Sequence, residues 1–349
     1  MKETQANNKA EKIIVLRFSS MGDVAIVASF LQEFLEKYPQ AQIVMVSKEH
    51  FKAFFESFTN VEFHPLQANT KHKGFFGLYQ LYKELKTYKP QAVADLHDNI
   101  RSHIVSFFFR LNGVKIKRID KGRKEKKALT RTENKIFRQL RTTIERYADV
   151  FRNFGFDISL KHRLQKDLKP LPERIKSLFN NDKKKIGISP FAQYSYKVYD
   201  LQKMETVVKT LSNKDYELFI FGGSNQELQC AQTWENTFQN VHSLIKKFNL
   251  TEELAIISNL DVMLSMDSSG MHLASLVGAP VISVWGPTHP YAGFLGYGQS
   301  PDDCLQIDNP IRPTSVYGNK PCLCGDTNCI DLITPEMIVE KIEEKLKNN

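Results

Sequence analysis

The stretch MDSSGMHLASLVGAPVISVWGPTHP, residues 266–290, puts Asp267, Ser268, Ser269, Gly270 and His272 directly behind an apolar strand pattern. Small residues opening a helix leave backbone N–H groups and the positive end of the helix dipole accessible to an anion, and a phosphate can approach them closely. His272 adds a donor in the first turn, and Asp267 is placed to cap the loop or to hold a sugar hydroxyl. The same spacing also fits an ordinary helix capped by Asp267 and Ser268, with His272 packed against a neighbour. SSMGD, ending at Asp23, raises the same choice. A carboxylate at a strand-to-helix junction stabilises the helix, and if it faces a bound phosphate ester of a sugar, Asp23 is also a candidate general base. Lys197, in SPFAQYSYKVYD, follows a strand end where it can neutralise a diphosphate, and Gln226 and Glu227, in GGSNQE, can hydrogen-bond a ribose. Neither G-x-G-x-x-G nor a Walker A pattern occurs, which weakens a nicotinamide reading and removes the ordinary ATPase one.

These loops need elements to position them. Apolar runs IIVLRF, QIVMVS and AVADLH in the first half, and KIGISP, ELFIFGG, DVMLSM and PVISVWG in the second, alternate with helical patterns such as VAIVASFLQEFLEKYP and NIRSHIVSFFFRL. Short buried strands alternating with longer helices mark parallel βαβ units, with helices on both faces of a sheet. In such sheets ligands bind beyond the carboxyl ends of the strands, where all these loops lie. The 349 residues suit two domains. The strandless, charged stretch HRLQKDLKPLPERIKSLFNNDKKK gives domains at 1–165 and 185–349 with a linker at 166–184, and the closing TPEMIVEKIEEKLKNN reads as an amphipathic helix capped by Thr334.

Composition narrows the class. With 42% hydrophobic and 25% charged residues the chain is a folded globular protein. MKETQANNKAEK is polar and the apolar run behind it is too short for an export signal or a membrane span, so a cytoplasmic protein is expected. The uncharged run 268–301 is long enough to cross a bilayer, but its six glycines and four prolines break any helix. Five cysteines in a cytosolic chain need form no disulfides, and C-x-C-x4-C at Cys322, Cys324 and Cys329 is not a common zinc spacing. Reduced thiols and no metal site are expected. Residues 115–146 carry 13 Lys or Arg against four acids, an excess equal to the net charge of +9. A solvated face is one reading of this run; a surface for nucleic acid, anionic headgroups or a phosphorylated substrate is the other. Phe137 is its lone aromatic residue, which gives base stacking little support.

In this order, KIIVLRFSSMGDVAIVASFLQEFLEKYP, AVADLHDNIRS, TIERYADVFRNFG, FGGSNQE and MDSSGMHLASLVGAPVISVWGPTHP resemble glycosyltransferase family 9, the bacterial lipopolysaccharide heptosyltransferases. The resemblance spans nearly the whole chain. It implies a GT-B fold, two Rossmann-like doubly wound domains facing a central cleft, with acceptor on the first, nucleotide sugar on the second, and the final helix packed back on the first. It implies an inverting, metal-independent transferase that needs no cofactor and moves a sugar, expected to be heptose from an ADP-linked donor, onto an anionic lipid-linked saccharide. Asp23 then matches the general base, and Lys197, Ser268, Ser269, Gly270 and His272 match the segments that hold the donor diphosphate. Asp267 is the leading acid, and Gln226 with Glu227 stands near the ribose position. Lys71, Lys73, Arg101, Lys121, Arg123 and Lys124 are the cations expected to meet the acceptor, with the enzyme peripheral at the inner face of the cytoplasmic membrane. Two alternatives remain: a nucleic-acid-binding protein using 115–146, and a nucleotide-sugar epimerase or hydrolase on the same fold.

Overall fold

The computed structural model describes residues 11–348, so most of the polar N-terminal stretch lies outside the described residues. Contacts divide the chain into two units: residues 11–121 with 144–161, and residues 122–143 with 162–348.

The first unit runs β1 (Lys12–Leu16), α1 (Met21–Lys37), β2 (Gln42–Ser47), β3 (Val61–Pro65), α2 (Gly74–Lys86), β4 (Ala92–Asp95), α3 (Ile100–Leu111) and β5 (Lys115–Arg118). The strands form one parallel sheet in the order β3-β2-β1-β4-β5. β1 and β4 are central, and their apolar runs are buried throughout or nearly so, as a sheet covered on both faces requires. Ile14, Leu16, Val44, Val46 and Val93 form one core with Leu78 and Leu81 of α2 and Val105 and Phe109 of α3. α4 (Arg123–Thr130) leaves for the second unit, and α5 (Thr143–Arg152) returns, packing Phe151 4.8 Å from Phe30 and 4.7 Å from Phe34 of α1.

The second unit continues with α6 (Lys176–Phe179), β6 (Lys184–Ser189), α7 (Leu201–Ser212), β7 (Tyr216–Ile220), α8 (Asn225–Thr237), β8 (Val241–Ser243), α9 (Leu250–Ser258), β9 (Val262–Met266), α10 (Ser269–Leu276), β10 (Val281–Val284) and β11 (Cys304–Leu305). A hairpin of β12 (Leu323–Cys324) and β13 (Thr327–Asn328) precedes α11 (Pro335–Lys347). The six-stranded parallel sheet has the order β11-β10-β9-β6-β7-β8. β6 and β9 are neighbours at its centre, so the loops after them, which carry Lys197 and residues 267–272, leave the same edge side by side.

Several expectations need correction. The basic run 115–146 is divided: KIKR is a strand of the first sheet, whereas 122–143 belongs with the second unit. The proposed linker 166–184 is no free connector, since the amide of Asp167 donates to the carbonyl of Val277 and that of Lys169 to the hydroxyl of Ser258. The closing helix, expected on the first domain, buries Ile338, Val339, Ile342 and Leu346 in the core beneath the second sheet. Thr334 does cap it, accepting from the amide of Met337. Reduced cysteines are found at 230, 304 and 322, but Cys324 and Cys329 form a disulfide, with Cα atoms 5.5 Å apart. The hairpin turn, in which Gly325 has φ +68°, folds the chain back and brings the pair together.

Candidate functional site

Asp23 is the third residue of α1. Its Oδ2 accepts from the Ser20 hydroxyl at 2.7 Å and from the Ser20 amide at 3.2 Å, so the carboxylate does cap its helix. Capping is only part of its role, because the Arg17 guanidinium lies 2.5 Å from the same oxygen. Burial pushes the Asp23 carboxyl upward, but Arg17 and the two Ser20 hydrogen bonds outweigh it, and the group is held below the ordinary carboxylate value. Its side chain keeps 23% of its surface exposed.

Two residues that the sequence reading passed over belong to this cluster. Arg17 follows β1, and its Nη1 donates to the Leu96 carbonyl at 2.8 Å, tying the ends of β1 and β4 together. His97 follows β4 and stacks obliquely on Phe18, centroids 5.0 Å apart. Burial first, then the charges of Arg17 and Lys121, push His97 down to about 4, so it is neutral at pH 7. Its buried Nδ1 has no hydrogen-bond partner. Their positions just past the carboxyl ends of the two central strands are the signal that would have found both.

In the second unit, Lys197 sits in a short 3-10 turn after β6, and its ammonium lies 3.0 Å from Asp267, which follows β9. Both side chains are largely buried, at 15% and 8% exposure, so the pair is shielded from solvent. Ser268 occupies the N-cap position of α10 with extended backbone, yet its side chain makes no capping hydrogen bond. The reading of Asp267 and Ser268 as ordinary caps is therefore wrong: Asp267 pairs with a lysine, and the first amides of α10 receive no side chain from Ser268. Gly270 explains how closely this helix starts against the sheet. A Cβ there would lie 2.5 Å from the Ser189 hydroxyl and 3.0 Å from that of Ser265. Gly270→Ala is expected to destabilise the protein by about 1–3 kcal/mol through overpacking, measured as a lowered Tm. His272, in the first turn, is mostly buried.

Glu227, expected near the ribose, is engaged at the start of its own helix through one carboxylate oxygen. Its Oε2 accepts from the amides of Gly223 at 2.6 Å and Ser224 at 2.8 Å, and the Ser224 hydroxyl accepts from the Glu227 amide, a closed capping box at the start of α8. Gln226 beside it is exposed.

The six cations expected to meet an acceptor are divided between the two units. Lys71, Lys73, Arg101 and Lys121 belong to the first unit, whereas Arg123 and Lys124 lie on α4 with the second. Lys71 pairs with Glu84 at 2.9 Å, and the Lys121 ammonium donates to the Asp98 carbonyl at 3.3 Å; Lys73 and Arg101 are exposed. Part of the basic run holds the structure together instead. The Lys135 ammonium donates to the carbonyls of Pro310, Ile311 and Pro313, Lys126 lies 4.1 Å above the Phe294 ring, and Arg146 donates to the Asp120 carbonyl.

Among the described residues one group has the spacing of a metal site: His64, His72 and Glu84, whose ligand atoms lie within 4.8 Å of one another. Their hydrogen bonds suit protons better than a metal. The Gln67 amide donates to His72 Nδ1 at 3.0 Å, which leaves the ring proton on Nε2, 3.3 Å from Glu84. Burial raises the Glu84 carboxyl, but hydrogen bonds from Lys71 and Gln80 outweigh it and bring it down to about 2. A dication would have to displace that ammonium and that proton together.

Comparison with known proteins agrees with this architecture. The chain is 24% identical to the lipopolysaccharide core heptosyltransferase OpsX of Haemophilus influenzae over 287 residues, covering 80% of each protein. It is 24% identical to lipopolysaccharide heptosyltransferase 1 of Campylobacter coli, covering 95% of this chain and 98% of the other. Among solved structures, a family 9 glycosyl transferase from Veillonella parvula matches with a TM-score of 0.74 at 19% identity, over 97% of this chain and 98% of that one. The E. coli heptosyltransferase WaaC with ADP matches with a TM-score of 0.69 at 19% identity, over 96% and 99% of the two chains. Together with the two parallel-sheet units these likenesses give the fold as GT-B. The profile of glycosyltransferase family 9 (heptosyltransferase) matches residues 78–313, two-thirds of the length. The chain belongs to glycosyltransferase family 9.

Proposed function

We propose that the protein is an inverting heptosyltransferase that moves heptose from ADP-heptose onto an anionic, lipid-linked saccharide of the lipopolysaccharide inner core. The reading rests on family membership, and the observation that carries its chemistry is the contrast between the two strand-end loops. The first unit holds an ionised carboxylate at Asp23; the second holds a lysine beside a helix start that its own N-cap side chain does not close. Asp23 takes the proton from the acceptor hydroxyl as its oxygen attacks the anomeric carbon. Attack from the face opposite the departing ADP inverts that carbon. The charge that develops on the diphosphate is met by the α10 amides, Lys197 and His272, preorganised donors of the kind that lower a barrier by several kcal/mol. Gln226 is the residue offered to the ribose. ADP in the E. coli relative's structure supports an adenine nucleotide as leaving group.

Lys73 and Arg101 are exposed, as is Lys71, which is paired with Glu84, and these cations suit the phosphates of an inner core at the cytoplasmic face of the membrane. No helix among the described residues is long and apolar enough to cross a bilayer, so contact with the membrane is peripheral in this reading. The nucleic-acid alternative loses support because Lys126 and Lys135, within the basic run, and Arg146, at its end, bind groups of the protein itself. Calorimetric titration with ADP, GDP, UDP and CDP tests the donor class. Selective binding of ADP is expected, and equal or absent binding of all four would overturn the assignment of the donor.

A further inference from the structure

We infer that the outward face shared by α2 and α3 is the surface by which the protein lies on an anionic lipid bilayer. α3 carries two apolar stripes. Val105 and Phe109 belong to the core, but Ile100, Phe107 and Leu111, spaced so as to share another face of the helix, are 78%, 55% and 67% exposed. Phe75 and Phe76 open α2 and are 58% and 85% exposed. The two helices present one patch, because Phe108 joins them: its ring lies 5.8 Å from Phe75 and 5.9 Å from Phe107. A soluble surface scatters such side chains singly, and a contiguous group of them marks a contact site.

The charge around the patch selects its occupant. α3 bears Arg101 and Arg110 and no carboxylate; α2 bears Lys83 and Lys86, and its one acid, Glu84, is already paired with Lys71. Lys83 lies 5.1 Å from the Tyr79 ring and Lys86 5.9 Å from that of Tyr82, so aromatic body and cationic tip occur together. A second copy of the chain would bring this cationic rim against itself with no carboxylate to answer it. An anionic bilayer answers both features, apolar rings entering the headgroup boundary while ammonium and guanidinium groups meet lipid phosphates.

The inference deepens the proposed function and rests on it for the acceptor's being lipid-linked. Flotation of the purified protein with phosphatidylethanolamine–phosphatidylglycerol vesicles, and with phosphatidylcholine vesicles for comparison, tests it. The wild-type chain is expected to float with the anionic vesicles and much less with the neutral ones. The combined variant Phe76→Ser, Phe107→Ser, Leu111→Ser is expected to lose about tenfold or more of that binding while its melting curve and ADP affinity stay unchanged. A wild-type chain that fails to float, or a variant that floats equally well, overturns the inference. So does a lipid-free dimer that the variant dissociates, which would make a second copy the occupant. ADP titration of the same samples separates the two readings: ADP binding without flotation sinks this surface alone, and flotation without ADP binding sinks the donor assignment alone.

Discussion

Replacing Asp23 with asparagine lowers kcat by about a thousandfold, within the range that a positioned general base contributes, while ADP affinity stays within about twofold. The amide keeps the size of the side chain and one oxygen for Ser20, but it cannot take a proton. Because Arg17 holds the carboxyl below its ordinary value of 3.8, the base form of the wild-type residue persists down to about that pH, and Asp23 imposes no acid limb on kcat near neutrality. Arg17→Met reverses the balance. With the guanidinium gone, burial, already the largest single influence, is opposed by the Ser20 hydrogen bonds alone, the carboxyl rises, and protonation at acidic pH removes the base. The acid limb of kcat therefore moves to higher pH in the variant. A pH–rate series on the two variants and the parent decides the matter: Asp23→Asn with undiminished kcat leaves the residue a helix cap, and an unmoved acid limb in Arg17→Met removes the arginine from the proton's environment.

Lys197→Ala weakens ADP binding by about 30- to 100-fold, the worth of a charge-assisted hydrogen bond together with the loss of charge compensation. The reason is the pair seen in the structure. Asp267 lies 3.0 Å from the lysine and is 8% exposed, so without Lys197 a buried carboxylate stands uncompensated beside the place where a diphosphate would sit. The same change lowers stability by about 3 kcal/mol, since breaking a buried pair costs more than the pair itself contributes. Asp267→Asn acts oppositely on the nucleotide, retaining or improving ADP affinity because the competing negative charge is gone. Calorimetry on the two variants, with thermal melts to follow stability, gives both effects. If Lys197→Ala loses stability and keeps its ADP affinity, the lysine serves Asp267 and not the donor.

How much of the site could be read in advance depends on the kind of interaction. The junctions that carry Asp23 and residues 267–272 were legible because a strand-to-helix junction is written locally, in an apolar run followed by small and polar residues. Arg17 and His97 were not noticed, since each looks like the ordinary end of a buried strand; their importance comes from β1 and β4 lying side by side, which joins the two strand ends through the Leu96 carbonyl. Glu227 has a local role that the sequence does not separate from a ligand contact, because a capping box and a ribose contact ask for the same residue at the same place in a loop.

The sequence by itself determined the alternation of strands and helices, the parallel sheets that follow from it, and the family, because periodicity and motif order are properties of neighbouring residues. Only the tertiary structure decided that 122–143 joins the second unit, that the last helix closes the second core, and which charges are already spoken for. Lys197 and Asp267 are 70 positions apart and meet because β6 pairs with β9; no local pattern encodes that choice. Charge along a chain counts the cations, but burial and strand order settle which of them remain for a ligand.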